Sequence, residues 1–181
     1  MDFFDIVAPI YDIIFPNKEY LCELIDFPKR GRILDIGGGT GRVSEMVDPG
    51  CSIIVVDRSL KMLDQTRKKE GMIAVCALAE ALPFPNLKFH RILVIDAFHH
   101  FHHHQMVLAE IVRVMANKGR ALIKEPDIKR LLIKIIAFLE KVLNMKSIFY
   151  SEDQFERMVL SLGCEYQITK TKNFYCGLLM K

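Results

Sequence analysis

The chain has no tryptophan, and its five cysteines (Cys22, Cys51, Cys76, Cys164 and Cys176) include no Cys-x-x-Cys pair. An odd, scattered set argues against a disulfide framework and fits buried or free thiols in a reducing compartment. No apolar run is long enough to span a bilayer, since the most apolar one, Leu131 to Leu139, is short and holds Lys134. Where a secretory leader would carry positive charge the chain has Asp2 and Asp5, and Pro9 and Asp12 interrupt the apolar stretch. A cytoplasmic location without integral membrane association is therefore expected. Neither sign of charge is in excess, with 25 Lys and Arg against 22 Asp and Glu and a net charge of +3. That balance does not imply nucleic acid as a partner, and Lys118, Arg120, Lys124, Lys129 and Arg130 are expected to coat a solvated face. Low-complexity runs, long linkers and repeats are missing too. The 181 residues are expected to form a single domain, 1–181, with 1–30 as a helical N-terminal cap.

What the chain does have is apolar material, 51% of its residues, arranged in a repeating order. Short β-branched runs at Arg32–Ile36, Ser52–Asp57, Met72–Ala77, Arg91–Ile95 and Arg120–Lys124 alternate with helical patterns. Ser59 is a good N-cap for a helix reaching about Glu70, and Val107, Ile111 and Val114 form one stripe of another that stops near Asn117. Continuous apolar strands between helices predict a parallel sheet covered on both faces. After Pro126 the pattern predicts a long amphipathic helix, then another opened by Ser151 and closed at Gly163. The last two runs, Glu165–Thr171 and Asn173–Met180, follow too closely for a crossover helix and must pair antiparallel. The expectation is α/β: a doubly wound, mostly parallel seven-stranded sheet with helices on both faces and a C-terminal antiparallel hairpin.

The informative segment is Ile33 to Arg42, which reads ILDIGGGTGR. A strand delivers Asp35, and the chain turns through Gly37, Gly38 and Gly39 before Thr40 and Gly41 open a predicted helix. Glycine suits such a turn because it accepts positive φ and lets a ligand approach the backbone. A helix start offers free N–H groups to a carboxylate or phosphate. The dinucleotide fingerprint G-x-G-x-x-G fits poorly, because its third glycine would fall on Arg42 or on Ser44. Asp57 ends the next strand, twenty positions after Gly37, where a carboxylate can accept from both hydroxyls of a ribose. That supports an adenosine ligand of either kind; capping or surface exposure is the plainer role.

The spacing Asp35-x-Gly37-x-Gly39-x-Gly41 resembles the first motif of the Rossmann-like (class I) S-adenosylmethionine-dependent methyltransferases. Further matches follow in order: Val56-Asp57-Arg58-Ser59, Ala79-Glu80-Ala81-Leu82-Pro83-Phe84, Phe98-His99-His100-Phe101, and Glu110 with Arg113 to Gly119. The opening Phe4 to Ala8 with Tyr11-Asp12 is similar to the small-molecule enzymes of quinone biosynthesis. The resemblance implies S-adenosylmethionine as cofactor and S-adenosylhomocysteine as product. It places Asp35, Gly37, Gly38, Gly39, Thr40, Gly41, Asp57, Arg58, Leu78, Ala79, Glu80 and Tyr11 around the cofactor; Asp96, at the C-terminal end of the fourth strand where open α/β sheets bind ligands, is expected at the methionine part of the cofactor or at the acceptor, with capping as the plainer role. Leu78 stands where the family often has an aspartate for the adenine amino group, and Arg58 where an apolar cover is common. His90 replaces a frequent aspartate and is expected at a turn. No Asn-Pro-Pro-Tyr or Asp-Pro-Pro-Tyr follows the fourth strand, which argues against the methyltransferases of base amines and glutamine amides that carry it.

Five of six histidines lie between His99 and His104. On a helix they would form i, i+4 pairs able to hold a metal, but no third ligand is evident and no metal is expected. His99 or His100 is a candidate general base. Ile128 to Met145 carries a wide apolar face, suited to packing on the sheet, to a lid with Tyr11 and Phe15 over an apolar acceptor, or to a homodimer contact. Three functions remain: methyl transfer to an apolar small molecule, a non-catalytic cofactor-binding or scaffolding module, and a nicotinamide-dependent oxidoreductase.

Overall fold

The computed structural model describes residues 3–14, 31–47, 50–129, 133–134, 137–138, 147–170 and 174–181. Seven strands form one sheet: β1 (Gly31–Ile36), β2 (Cys51–Asp57), β3 (Met72–Cys76), β4 (Phe89–Ile95), β5 (Met115–Pro126), β6 (Glu165–Lys170) and β7 (Phe174–Met180). Their order is β3-β2-β1-β4-β5-β7-β6. The first five run parallel, and β7 lies antiparallel between β5 and β6. The order reverses direction at β1 and β4, so the loops leaving their C-terminal ends diverge and open a crevice.

Helices that accompany the sheet include α1 (Phe3–Val7), α2 (Tyr11–Ile14), α3 (Leu60–Thr66), α4 (His104–Val114) and α5 (Glu152–Leu160), and residues 133–134 and 137–138 are also helical. Adjacent strand residues point to opposite faces, which is why the strands had to be apolar throughout. Leu34, Ile36, Ile92 and Val94 join Val107, Ile111 and Val114 of α4 and Phe155 of α5 in one buried cluster. Ile33, Ile53, Val55, Leu93 and Leu122 join Leu63 of α3 in the other. The predicted caps hold: Ser59 Oγ accepts from Met62 N at 3.2 Å, and Ser151 forms a capping box with Gln154.

Several boundaries differ from the sequence expectation. No α-helix follows the glycine loop; residues 40–43 turn, and only a 3-10 turn, Ser44–Met46, follows. Few residues separate Gly41 from β2, and Pro49 and Gly50 stand among them, so a helix has no room to nucleate. α3 ends at Thr66, short of Glu70, and β5 starts at Met115, before Asn117. Between Phe89–Met115 and Arg91–Arg120 the pairing slips, with Lys118 at φ 60°. His90 lies within β4 rather than at a turn, its Nδ1 accepting from Arg32 N at 3.4 Å. Lys124, expected on a solvated face, is 2% exposed. Most of the predicted helix 128–145, along with Phe15 and Cys22, lies outside the described residues. Cys51, Cys76, Cys164 and Cys176 are free thiols. No described helix is long and apolar enough to cross a membrane.

The seat of α5 on the hairpin depends on one missing side chain. A Cβ on Gly177 of β7 would stand 2.4 Å from Phe155 Cε1, and Phe155 is fully buried. Gly177→Ala is therefore expected to lower unfolding stability by about 1–3 kcal/mol, the usual cost of overpacking, when measured by urea denaturation.

Candidate active site

The crevice at the end of β1 and β4 is an open cleft lined by the loops that leave β1, β2, β3 and β4. β1 delivers Asp35 into its floor with 1% exposure, where Ser44 Oγ donates to Oδ2 at 2.8 Å. Burial raises this carboxyl from the ordinary 3.8 to about 6, partly offset by the Ser44 bond. The glycines now have separate reasons. A Cβ on Gly38 would lie 2.5 Å from Asp35 Oδ2, and one on Gly37, at φ 68°, would lie 2.7 Å from Ala97 Cβ. Gly41, at φ 74°, leaves room for Met72 Sδ. The loop is tied to β2 by Gly37 N and Gly38 N, which both donate to Val56 O at 2.7 and 3.3 Å.

Asp57 faces the loop from the end of β2. Its Oδ2 accepts from Gly39 N at 3.0 Å and its Oδ1 from Ser59 N at 2.8 Å. A carboxylate has about four lone-pair sites, so two bonds leave capacity for further donors on the cleft side. Burial raises its pKa, against the pull of those backbone bonds.

Of the residues predicted around the site, the structure gathers Asp35, Gly37, Gly38, Gly39, Asp57, Arg58, Leu78, Ala79, Glu80, Asp96, Tyr11 and His100 on the cleft wall. Leu78 is 56% exposed there and offers an apolar surface. Glu80 reaches across to accept from His102 N and His103 N at 2.9 and 3.2 Å, joining the loops after β3 and β4. Thr40, Gly41 and His99 are not among the lining residues. Thr40 Oγ1 instead donates to Asp12, whose other oxygen meets Lys69 Nζ at 2.7 Å. With the Ser59 Oγ–Asp5 bond at 2.7 Å, this docks the N-terminal segment beside the cleft and brings Phe4 and Tyr11 into its wall.

The histidines are sorted by the fold. The residues from Phe98 to His100 form a 3-10 turn and α4 starts only at His104, so the i, i+4 pairing envisaged for His99 and His103 does not arise. His99 is buried outside the cleft, its Nδ1 on Glu125 Oε2 and its ring stacked on Phe149 at 4.3 Å. His100 lines the cleft, with Nδ1 2.9 Å from Ser147 Oγ and its ring 4.9 Å from Phe4. Burial, helped by His99 and Arg58, pushes His100 down to about 2, so it is a neutral imidazole at ordinary pH. Among the described residues no three His, Cys, Asp or Glu side chains are grouped to hold a metal.

Sequence reasoning missed Phe4, Arg42, Ser59, Met62, Phe101 and His102 on the cleft wall, and missed the roles of four charged residues behind it. Glu110 Oε2 accepts from Leu82 N, and Arg113 donates to the carbonyls of Leu82 and Phe84, so α4 holds the loop after β3. Lys124 and Glu125 of β5 reach the loop after β4. The available signal was a charged pair at the C-terminal end of a buried strand, next to the crevice.

A glycine cradle and a ribose-competent carboxylate facing each other across one cleft fit an adenosyl amino acid. The family model described as a methyltransferase domain matches residues 34–123. Demethylmenaquinone methyltransferase of Thermotoga maritima is 33% identical over an alignment of 158 positions that covers 78% of this chain and 69% of the relative. The chain belongs to the S-adenosylmethionine-dependent methyltransferase family. Its cofactor is accordingly S-adenosylmethionine, which sets the nicotinamide reading aside. It is also similar to the ubiquinone/menaquinone biosynthesis C-methyltransferase of Pectobacterium carotovorum, 34% identical over 128 residues. That match covers 63% of this chain and 51% of the relative, so the chain spans about half the length of that enzyme. Among solved structures, the YcgJ protein of Bacillus subtilis shares the fold with a TM-score of 0.72 at 23% identity, covering 83% of this chain and 68% of that one.

Asp35 makes stability depend on pH. Its folded pKa lies above its unfolded value, so the folded state binds the extra proton between about pH 4 and 6. Its contribution is thus present below the unfolded pKa and lost as pH rises through the folded one, on the order of 3 kcal/mol in total. Asp35→Asn, which keeps an acceptor for Ser44, is expected to be less sensitive than wild type to a rise from pH 4 to 7 in urea-unfolding measurements.

Proposed function

We propose that this chain transfers a methyl group to a small apolar acceptor of the hydroxylated aromatic kind, not to nucleic acid. The observation that carries this is the composition of the cleft beyond the glycine loop, where Phe4, Tyr11 and Phe101 stand with a neutral His100. Such a wall suits a flat, weakly polar ring. The quinone-biosynthesis names of the relatives support the same class. Free thiols on the described cysteines favour a reducing, cytoplasmic setting. We also read 1–181 as one catalytic domain with residues 1–30 as its cap. Segment 128–145, proposed as a lid or dimer contact, lies mostly outside the described residues.

The cofactor supplies a methyl group on a positively charged sulfur that departs as a neutral thioether, so no acid is needed to expel it. The chain's task is alignment in a site shielded from water. Gly37 to Gly39 cradle the amino-acid end, Asp57 holds the ribose hydroxyls, and Leu78 with Ala79 packs against the base. Arg58 stands at the rim on the same side. The acceptor reacts in its ionised form, its proton having passed to water, and His100, held on Ser147, meets it as a hydrogen-bonding group. Its depressed pKa makes it a weak base, which revises the general-base role expected for it.

Calorimetry with S-adenosylhomocysteine tests the cofactor site. Wild type is expected to bind, and Asp57→Ala to bind at least about tenfold more weakly through loss of charge-assisted bonds. A short-chain demethylmenaquinol, with other phenolic and enolic acceptors beside it, tests the transfer. Turnover is expected, with no ionisation near pH 6.5 attributable to His100 in kcat/KM. Cofactor binding without turnover across that panel would favour the binding or scaffolding module instead.

A further inference from the structure

Behind the wall that carries His100, two adjacent residues of β5 grip one short stretch of chain. Lys124 Nζ reaches both carboxylate oxygens of Asp96, at 3.1 and 3.3 Å. Glu125 Oε1 accepts from Ala97 N at 3.0 Å and Phe98 N at 2.7 Å, and Oε2 meets His99 Nδ1. Neighbouring strand residues project to opposite faces, so residues 96–99 are held from both sides of the sheet. Both holders are 2% exposed. The stretch needs holding: Asp96 sits at φ 52°, a left-handed conformation that is strained for a non-glycine residue and persists only where surroundings impose it. Its own N–H donates to Lys124 O at 2.9 Å. What this stretch carries is the cleft wall: Ala97 against Gly37, then His100, Phe101 and His102.

We propose that Glu125 is a positioning residue, setting the backbone at Ala97 and Phe98 and the tautomer of His99, and through them the placement of His100 in the cleft. The inference rests on reading that cleft as the cofactor and acceptor site. A carboxylate at Nδ1 requires the His99 proton there, since a carboxylate can only accept. The His99 ring then lies 4.0 Å from that of His100, centroid to centroid. An apolar residue at 125 would leave two buried N–H groups without acceptors, so the loop would have to move.

Glu125→Gln and Glu125→Leu separate positioning from bulk stability. Glutamine keeps an oxygen for Ala97 N and Phe98 N but turns its amide donors toward His99, forcing the other tautomer. The readouts are imidazole nitrogen NMR of His99 and His100 in the unliganded protein, and calorimetry with S-adenosylhomocysteine. In Glu125→Gln the His99 nitrogen pattern is expected to invert, the His100 signals to shift, and affinity to stay within about threefold of wild type. In Glu125→Leu affinity is expected to fall at least about tenfold. Wild-type affinity in the folded fraction of Glu125→Leu, or unmoved His100 signals in Glu125→Gln, would overturn the proposal. If the leucine variant does not fold, the glutamine spectra decide alone in the same two directions. Failure of wild type to bind S-adenosylhomocysteine would count against the cofactor site, whereas the NMR readout needs no ligand.

Discussion

A carboxylate buried at the end of the central strand organises the entrance to the cleft. Asp35 lies between β2 and β4 with almost no exposure, and the cost of burying it is offset only in part by the Ser44 hydroxyl. Gly38 comes so near its Oδ2 that no side chain fits. The chain is thereby bent back toward β2, where Val56 O takes two N–H groups from Gly37 and Gly38 and Asp57 takes one from Gly39. Removing the carboxylate would leave the turn without the group its glycines are shaped around.

The remaining walls follow the same physical plan, in which backbone loops are set by charged side chains reaching from neighbouring elements. Glu110 and Arg113 hold the loop after β3, and Lys124 and Glu125 hold the loop after β4. Asp5 and Asp12 dock the N-terminal segment onto Ser59, Thr40 and Lys69. These bonds use up polar groups that look like surface decoration in the sequence. Buried pairs such as Lys124–Asp96 contribute modest net stability, but losing one partner leaves a charge uncompensated in the interior. Their value is geometric. They fix the loops that carry the aromatic wall of the cleft, which suits a reaction governed by alignment rather than by acid or base strength.

The sheet could be read in advance because its strands are apolar on both faces, and only a doubly covered parallel sheet accommodates that pattern. The closing hairpin followed from connection length alone. The glycine loop and Asp57 were readable for a related reason: their residue types answer to local constraints of φ, close approach and position at a strand end. Less could be foreseen where a local preference competed with length. Thr40 to Ser44 looked like a helix start, yet the few residues left before β2, with Pro49 among them, stop it at a 3-10 turn.

The amino-acid order by itself determined the architecture and the glycine turn with Asp57 at one end of the cleft, since strand periodicity and glycine geometry depend on neighbours in sequence. Only the tertiary structure decided which histidine faces the cleft, because His99 and His100 are chemically alike and a single residue apart. Their separation comes from Glu125, twenty-six positions downstream, and from Ser147 and Phe149 farther on. It likewise decided that Lys124 is an interior cation, as its burial depends on Asp96 and on the Phe174 ring 4.7 Å away. Such roles are set by contacts between distant segments, and a linear pattern does not contain them.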